Sequence, residues 1–190
     1  MTEWTREQAI RRICRERLDA LSPEERAQHV ETIKGEAWDT HPRWPTLAPD
    51  LRRELEDEGD TTDPEASRFD SALLMVLEDG FHGVLNAYLA AHLHDLRIPC
   101  SAVTGEVEPR LACPCCGYLT LEERGVYSIC RVCFWEDDGS DNPGAHSGPN
   151  HMTLAQGRRN FARFGAVTRR ERELVDPDGP RKYPRSPTQT

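Results

Sequence analysis

Two cysteine pairs constrain this chain more than any other feature of its sequence. Cys113 and Cys116 form one C-x-x-C motif, Cys130 and Cys133 form a second, and thirteen residues separate the two motifs. Two residues between sulfurs allow a tight turn to direct both thiolates at one point, and the paired motif is typical of zinc ribbons. If a β-hairpin returns the chain between the motifs, four sulfurs can surround Zn²⁺ at about 2.3 Å each. The sequence therefore predicts one zinc ion bound by these four cysteines.

A further cysteine, Cys115, lies directly beside a predicted ligand, Cys116. Because structural zinc sites close at four ligands, we interpret Cys115 as a residue that does not bind the metal. Two alternatives stay open: a weak substitute ligand, or a thiol that takes part in redox chemistry with Cys116. A redox C-x-x-C motif normally begins a helix in a βαβ unit, whereas this one lies in a predicted hairpin. A thiol redox protein is therefore the last of our hypotheses.

Charge is distributed unevenly along the 190 residues, whose net charge is −9. Residues 1–109 carry 12 Lys and Arg against 23 Asp and Glu, a net charge of −11. Residues 110–157 carry 3 against 6, and residues 158–190 carry 9 against 4. Proteins that bind nucleic acid usually concentrate positive charge beside the binding module, but here the cysteine-rich stretch is acidic. We therefore expect a protein partner and no nucleic-acid partner.

The cysteines and the N-terminus together indicate a compartment. The chain has no apolar run near the roughly 18 residues that a membrane-spanning helix needs. Residues 1–21 are charged and helical in pattern, which is not the pattern of a secretory signal peptide. Reduced thiols that bind a metal therefore fit better than disulfides, and we expect a cytoplasmic protein with no membrane association.

The N-terminal half has the pattern of a helical bundle. Thr5 and Gln8 form a capping box for a helix that we expect to reach about Ala20. Ser22, followed by Pro23, predicts a second helix as far as about Ala37. Apolar residues at three-and-four spacing over 69–96 predict two more helices, separated near Asp79 and Gly80, the second of them beginning at Phe81.

The C-terminal half has the pattern of a small β unit with one helix. A strand is predicted over 97–106, a hairpin is predicted to join 118–121 to 125–129, and Thr153 caps a helix that ends at Gly165. Residues 176–190 hold four prolines without an apolar period. The predicted class is α+β, with a helical region over 1–97, a zinc-ribbon-like domain over 98–166 and a basic, loosely ordered tail over 167–190.

Carboxylates and one histidine follow the second cysteine motif around Trp135. They suggest an alternative in which the chain is a hydrolytic or divalent-metal enzyme that uses Glu136, Asp137, Asp138, Asp141 and His146. No nucleophile with an adjacent base and no H-E-x-x-H pattern accompanies them. We therefore favour a solvated acidic loop with Trp135 packed over the zinc unit, and we assign no catalytic or cofactor-binding residue beyond the metal ligands.

Several runs resemble the bacterial cysteine-rich CPCC family. They are Cys113-Pro-Cys-Cys-Gly-Tyr-Leu-Thr-Leu-Glu-Glu-Arg-Gly and Ile129-Cys-Arg-Val-Cys-Phe-Trp-Glu-Asp-Asp-Gly, with similar stretches at 147–154 and 160–166. The resemblance covers roughly 111–166, and the helical stretch 83–89 is similar to the region before the domain in longer members. Many members have a proline where Arg131 stands, which leaves the sulfur spacing unchanged. The resemblance implies a zinc-binding fold and implies no reaction.

These observations favour a non-enzymatic zinc-binding protein whose acidic helical half binds a protein partner. One specific form of the hypothesis is an immunity-like inhibitor that covers the basic active site of a toxin. It is motivated by the net charge of −11 over residues 1–109, because such a field speeds association with a basic partner. The enzymatic and redox hypotheses are the two alternatives.

Overall fold

The structure is a computed structural model that describes residues 2–36, 38–57, 59, 61 and 63–187. Its helices and short strand pairs confirm the predicted α+β class. The chain divides into two units, one of Met1–His82 with Ala90–Thr104 and one of Gly83–Leu89 with Gly105–Thr190. We call them the helical unit and the cysteine unit. The predicted domain limits at 97/98 and 166/167 stay predictions, since compactness alone does not define an independently folding domain.

The helical unit begins with capped helices, as predicted. The capping boxes at Thr5 and Ser22 are both formed, and the first helix ends at Ala20 as expected. Ala37, the predicted end of the second helix, lies outside the described residues, and that helix ends at Gly35. The helices are α1 (Arg6–Ala20), α2 (Pro23–Gly35), α3 (Pro49–Glu56) and α4 (Asp70–Asp79).

Apolar side chains from all four helices, together with Trp44, Leu47 and Phe69, form one buried cluster in the helical unit. Trp44 and Phe69 lie in short 3₁₀ turns, Trp44–Thr46 and Ser67–Phe69, and a third turn is Trp38–Thr40. A parallel pair of short strands, β1 (Glu3–Thr5) and β2 (Ala102–Thr104), also belongs to this unit.

The next helix, α5 (Asn86–Asp95), begins five residues later than the apolar spacing predicted. Gly83 explains the delay because its φ of +75° is left-handed and interrupts the right-handed helical path. A Cβ at this position would also lie 2.6 Å from the Arg110 side chain. Spacing of apolar residues cannot reveal such a break.

The described part of the cysteine unit contains the first residues of α5, two antiparallel strand pairs and two further helices. Strand β3 (Leu111–Ala112) pairs with β4 (Leu119–Leu121), and β5 (His146–Ser147) pairs with β6 (Met152–Thr153). Helix α6 (Leu154–Phe164) has the predicted capping box at Thr153 and ends at Gly165, whose φ is +77°. A 3₁₀ turn (Glu171–Glu173) and helix α7 (Gly179–Lys182) follow.

The predicted hairpin that joins 118–121 to 125–129 is wrong. Strand β4 pairs with β3, and Ile129 forms a bridge with Glu136. Each of these pairings encloses one C-x-x-C motif. The cysteine turns themselves reverse the chain, so no hairpin between the motifs is needed.

The prediction of a loosely ordered tail over 167–190 is wrong for the described residues 167–187. Tyr183 is 4% exposed and Val167 is 3% exposed. The backbone of Arg185 bridges to Tyr118, and Leu119 donates its amide to Pro184 O at 2.9 Å. The segment is packed despite its four prolines, and residues 188–190 lie outside the described part.

Within the residues that the structure describes, no helix combines the length and the apolar character that crossing a bilayer requires. Its longest helix, α1, has 15 residues and carries several charges.

Candidate metal centre

The two C-x-x-C motifs fold into the same turn, which we call the first knuckle (113–118) and the second knuckle (130–135). In the first, the Cys113 amide donates to Tyr118 O and the Gly117 amide donates to Cys113 O, both at 2.9 Å. In the second, the Cys130 amide donates to Trp135 O at 2.9 Å and the Phe134 amide donates to Cys130 O at 2.8 Å. The two knuckles therefore present their sulfurs in equivalent ways.

The residue after the last cysteine of each knuckle has a left-handed backbone, with φ of +80° at Gly117 and +67° at Phe134. A glycine adopts this conformation without steric cost, whereas a bulky L-residue does not. The second knuckle accepts the less favourable residue because its turn is closed by the same two hydrogen bonds as the first. The sequence motif alone predicts this conformation only at Gly117.

The structure brings the four predicted sulfurs together. All four lie within 4.8 Å of one another, with Cys113 and Cys133 sulfurs 3.6 Å apart and Cys116 and Cys130 sulfurs also 3.6 Å apart. All four residues are buried and are free thiols. A tetrahedron with metal–sulfur distances of about 2.3 Å has sulfur–sulfur edges of about 3.8 Å. The residues therefore fit a single four-coordinate metal ion.

The electrostatics of the cluster also suit a cation. Burial raises the pKa of Cys113 and of Cys133 well above the ordinary thiol value. At Cys130 burial acts in the same direction, but hydrogen bonds to the neighbouring sulfurs and to Thr120 outweigh it and hold the pKa well below that value. One thiolate is thus stabilised by protonated neighbours. Four buried thiolates need a positive charge among them, and a bound divalent cation supplies it.

Side chains outside the knuckles complete the surroundings of the sulfurs. The Thr120 hydroxyl donates to Cys130 Sγ at 3.1 Å. Arg158 of α6 donates to Pro114 O at 3.0 Å, and Arg185 donates to Cys116 O at 3.1 Å. The two guanidinium groups place positive charge beside the first knuckle, where four thiolates and a divalent ion would leave a net charge of −2.

Backbone amides of the C-terminal segment close over both knuckles. Val167 donates to Cys133 O at 2.8 Å and Asp176 donates to Arg131 O at 3.0 Å. At the first knuckle, the Ser186 amide donates to Gly117 O at 2.8 Å. Knuckle carbonyls that point away from the metal are thereby satisfied by residues that follow α6. Our sequence reasoning did not predict this role because nothing in the tail's composition specifies what its amides contact.

Cys115 lies outside the four-sulfur group although it is only 5% exposed. It faces α6, since a Cβ on Gly157 would lie 3.3 Å from its sulfur and 2.7 Å from the Trp135 ring. The equivalent residue of the second knuckle is Val132. A Cβ added to Gly179 would lie 3.0 Å from the Val132 side chain, so the two residues are in close contact. Each knuckle thus uses this position to pack against a glycine of a following helix.

Carboxylates in the acidic stretch after the second knuckle form hydrogen bonds and ion pairs within the cysteine unit. Asp137 is fully buried, and its Oδ2 accepts hydrogen bonds from Arg124 Nε at 2.8 Å and from the Gly125 amide at 2.7 Å. Arg124 also binds Asp141, whose side chain is 72% exposed. Trp135 is 1% exposed, as expected of a residue packed on the cysteine unit.

Within the described residues, the cysteines are the only group of three or more His, Cys, Asp or Glu side chains close enough to share a metal ion. His146 is exposed, and Glu136 and Asp138 are half-buried. The geometry therefore offers no support for the alternative in which Glu136, Asp137, Asp138, Asp141 and His146 form a hydrolytic site.

Residues 111–181 match a family model described as Cysteine-rich CPCC. The match begins at β3, contains both knuckles and α6, and extends fifteen residues beyond the limit of 166 that we predicted for the resemblance. It therefore includes most of the segment that closes over the knuckles. No curated protein and no solved structure matches the chain.

Proposed function

We propose that residues 111–181, which match the Cysteine-rich CPCC family model, bind one Zn²⁺ ion through Cys113, Cys116, Cys130 and Cys133. The observation that carries the proposal is the cluster of four buried sulfurs on two equivalent knuckles. Tetrahedral sulfur sites select Zn²⁺ or iron among the common metals, and zinc is the usual occupant of closed four-cysteine structural sites.

The proposed role of the zinc is structural. All four ligand positions are filled by protein sulfurs, and a catalytic zinc site instead keeps one position open for water or substrate. The strands of the cysteine unit are two or three residues long, too short to organise a core by themselves. Metal binding would supply folding free energy to the unit, as it does in small zinc domains.

The test compares two neighbouring cysteines. Cys116→Ser removes one ligand and should reduce bound zinc well below one ion per chain, with a loss of several kcal/mol in the stability of the cysteine unit. Cys115→Ala is the matched control, since this sulfur lies outside the group, and it should retain full zinc. Elemental analysis of reduced, purified protein measures both.

Two results would contradict the proposal. Wild-type protein with less than about 0.2 zinc per chain would argue against a tightly bound ion. Loss of zinc from Cys115→Ala with retention in Cys116→Ser would mean that the ligand set is wrong. Iron in place of zinc, identified in the same elemental analysis, would keep the ligand set and change the metal.

We further propose that the zinc-stabilised protein acts through a protein partner and not through catalysis. The supporting observation is the net charge of −11 over residues 1–109, which favours a basic partner. The specific form that we propose is inhibition of a basic toxin in the manner of an immunity protein.

The partner proposal has its own experiment. Affinity purification from the native host should recover a basic protein, and its association rate with the purified chain should fall steeply between low and physiological salt. Recovery of no basic partner, or an association rate independent of salt, would contradict this proposal and would leave the zinc proposal intact.

A further inference from the structure

One short stretch of the cysteine unit exposes an unusual amount of apolar surface. Val126 is 48% exposed, Tyr127 is 60% exposed and Ile129 is 48% exposed. Among the described residues, five large apolar side chains are at least 46% exposed, and three of the five lie within the four consecutive positions 126–129. We call residues 125–129 the apolar tip. Clustered exposure of this kind is typical of interaction sites, whereas single exposed apolar residues are ordinary.

The backbone of the tip is strained at its most exposed residue. Tyr127 has a φ of +62°, a left-handed conformation that bulky L-residues rarely adopt. Such strain persists only where the surrounding structure enforces it, and it is concentrated at functional sites. In this conformation Tyr127 is 60% exposed.

A buried acidic group holds the tip in this conformation. The fully buried Asp137 accepts the Gly125 amide, while its backbone exchanges hydrogen bonds with the tip: Tyr127 N to Asp137 O at 2.9 Å and Asp137 N to Ser128 O at 3.0 Å. Gly125 also packs closely on Gly139, where an added Cβ would lie 3.1 Å from the Gly125 Cα. The tip is therefore a preorganised surface, which lowers the entropic cost of binding.

The charges around the tip indicate the chemistry of its partner. Residues 122–141 contain 2 Arg against 6 Asp and Glu, a net charge of −4. Arg124 is paired with the buried Asp137 and with Asp141, and Glu122 is paired with Arg110 from outside this stretch. A complementary surface would therefore combine an apolar pocket with surrounding Lys and Arg. A second copy of this chain would instead bring two acidic stretches together, which like-charge repulsion disfavours.

We propose that the apolar tip is a protein-docking surface, which inserts Tyr127, flanked by Val126 and Ile129, into an apolar pocket surrounded by basic residues on another protein. Tyrosine is enriched among residues that dominate binding energy at protein interfaces. This surface uses residues of the cysteine unit, so it goes beyond the proposed action of the acidic residues 1–109 and can succeed or fail independently of it.

The experiment selects phage-displayed peptides on the full-length, zinc-loaded chain and then compares the binding of the enriched peptides to wild-type and to zinc-loaded Tyr127→Ser protein. Enriched peptides should combine apolar residues with Lys or Arg, and Tyr127→Ser should bind them at least about tenfold more weakly. Leu174→Ser is the matched control, because Leu174 is 62% exposed in the same unit but lies outside the tip, and it should bind within about twofold of wild type.

A second variant separates binding from folding. Tyr127→Gly removes the ring and relieves the left-handed strain, so it should lose peptide binding, keep its zinc and raise Tm. Three outcomes would overturn the proposal: no enriched peptides, enriched peptides that bind Tyr127→Ser as tightly as wild type, or a dimer in sedimentation that dissociates in Tyr127→Ser. Peptides that bind wild type and Tyr127→Ser equally, through residues 1–109, would contradict the docking role of the apolar tip. They would leave the proposal of a basic partner intact.

Discussion

The Thr120 hydroxyl donates a hydrogen bond to the sulfur cluster from outside the cysteines. It lies in β4, which follows the first knuckle, but it donates to a sulfur of the second, Cys130. Hydrogen bonds to metal ligands orient them and tune their basicity, and losing one typically reduces metal affinity tenfold to a hundredfold.

Thr120→Val keeps the branched shape and removes the hydroxyl. We therefore expect the apparent zinc affinity to fall by about tenfold, measured by competition with a chromogenic chelator at fixed pH. Thr120→Ser retains a hydroxyl and is the control, with an affinity close to that of wild type. Equal affinities in wild type and Thr120→Val would show that the 3.1 Å contact has no effect on the metal.

Cys14 of α1 is fully buried, and burial, reinforced by the charge of Glu78, raises its pKa from 9.0 to about 12. The unfolded chain ionises this thiol near its ordinary value, so its contribution to stability is present below pH 9 and is lost as pH rises toward 12. Between pH 7 and pH 10 the loss is about 1.4 kcal/mol.

Cys14→Ala should remove this alkaline loss. Urea unfolding of zinc-loaded protein at pH 7 and pH 10 measures the free energy of unfolding, and the pH-dependent decrease should be about 1.4 kcal/mol smaller in the variant than in wild type. The variant will also be less stable at pH 7, because it leaves a small cavity, but that loss does not depend on pH. Identical pH dependences would contradict the raised pKa.

At the scale of elements, capping boxes predicted the starts of α1, α2 and α6 correctly, whereas apolar spacing placed the start of α5 five residues too early. Thr5, Ser22 and Thr153 all cap their helices because a capping box depends only on residues three positions apart. The strand pairing was wrong because pairing depends on which segments meet in space. Once each knuckle reverses the chain, the segments on either side of it become neighbours.

The substitution Gly157→Ala tests the packing of α6 on the second knuckle. In an open helix Gly→Ala stabilises by about 1 kcal/mol, but here the new Cβ would lie 2.7 Å from Trp135. Gly157→Ala should therefore destabilise the cysteine unit by about 1–3 kcal/mol, measured by denaturant unfolding.

Gly148→Ala is the control for Gly157→Ala, since a Cβ at Gly148 would have no neighbour within 4 Å. It should change stability by less than about 0.5 kcal/mol. A stable Gly157→Ala protein would mean that Trp135 can move away from α6 at little cost.

At the scale of the whole molecule, the C-terminal segment joins both halves of the metal centre. Asp176 contacts the second knuckle, Arg185 and Ser186 contact the first, and Gly179 packs on Val132. One covalent segment thus braces two turns that are otherwise joined by short strands.

A chain that ends at residue 175 should lose these contacts. We expect a lower Tm for the cysteine unit and release of zinc to a chelator at least about tenfold faster than in the full chain. A chain that ends at residue 187 retains every described contact and is the control. Equal zinc release from both truncated chains would mean that the segment does not stabilise the centre.

The sequence by itself determined the α+β class, the helix caps and the four cysteines that come together, because each depends on short-range spacing. Two residues between sulfurs specify a turn, and a hydroxyl three residues before an amide specifies a cap. The family resemblance likewise depended on short runs of residues, and the match over 111–181 bears it out.

Only the tertiary structure decided the pairing of strands around the knuckles, the burial of Asp137 and the packing of the C-terminal segment. These features depend on contacts between residues distant in sequence, such as Arg185 with Cys116, which neither periodicity nor composition encodes. The tail shows the reason most clearly. Its prolines and charges look like those of a loose chain, but its amides donate to knuckle carbonyls, and these acceptors are in position only once the knuckles have folded.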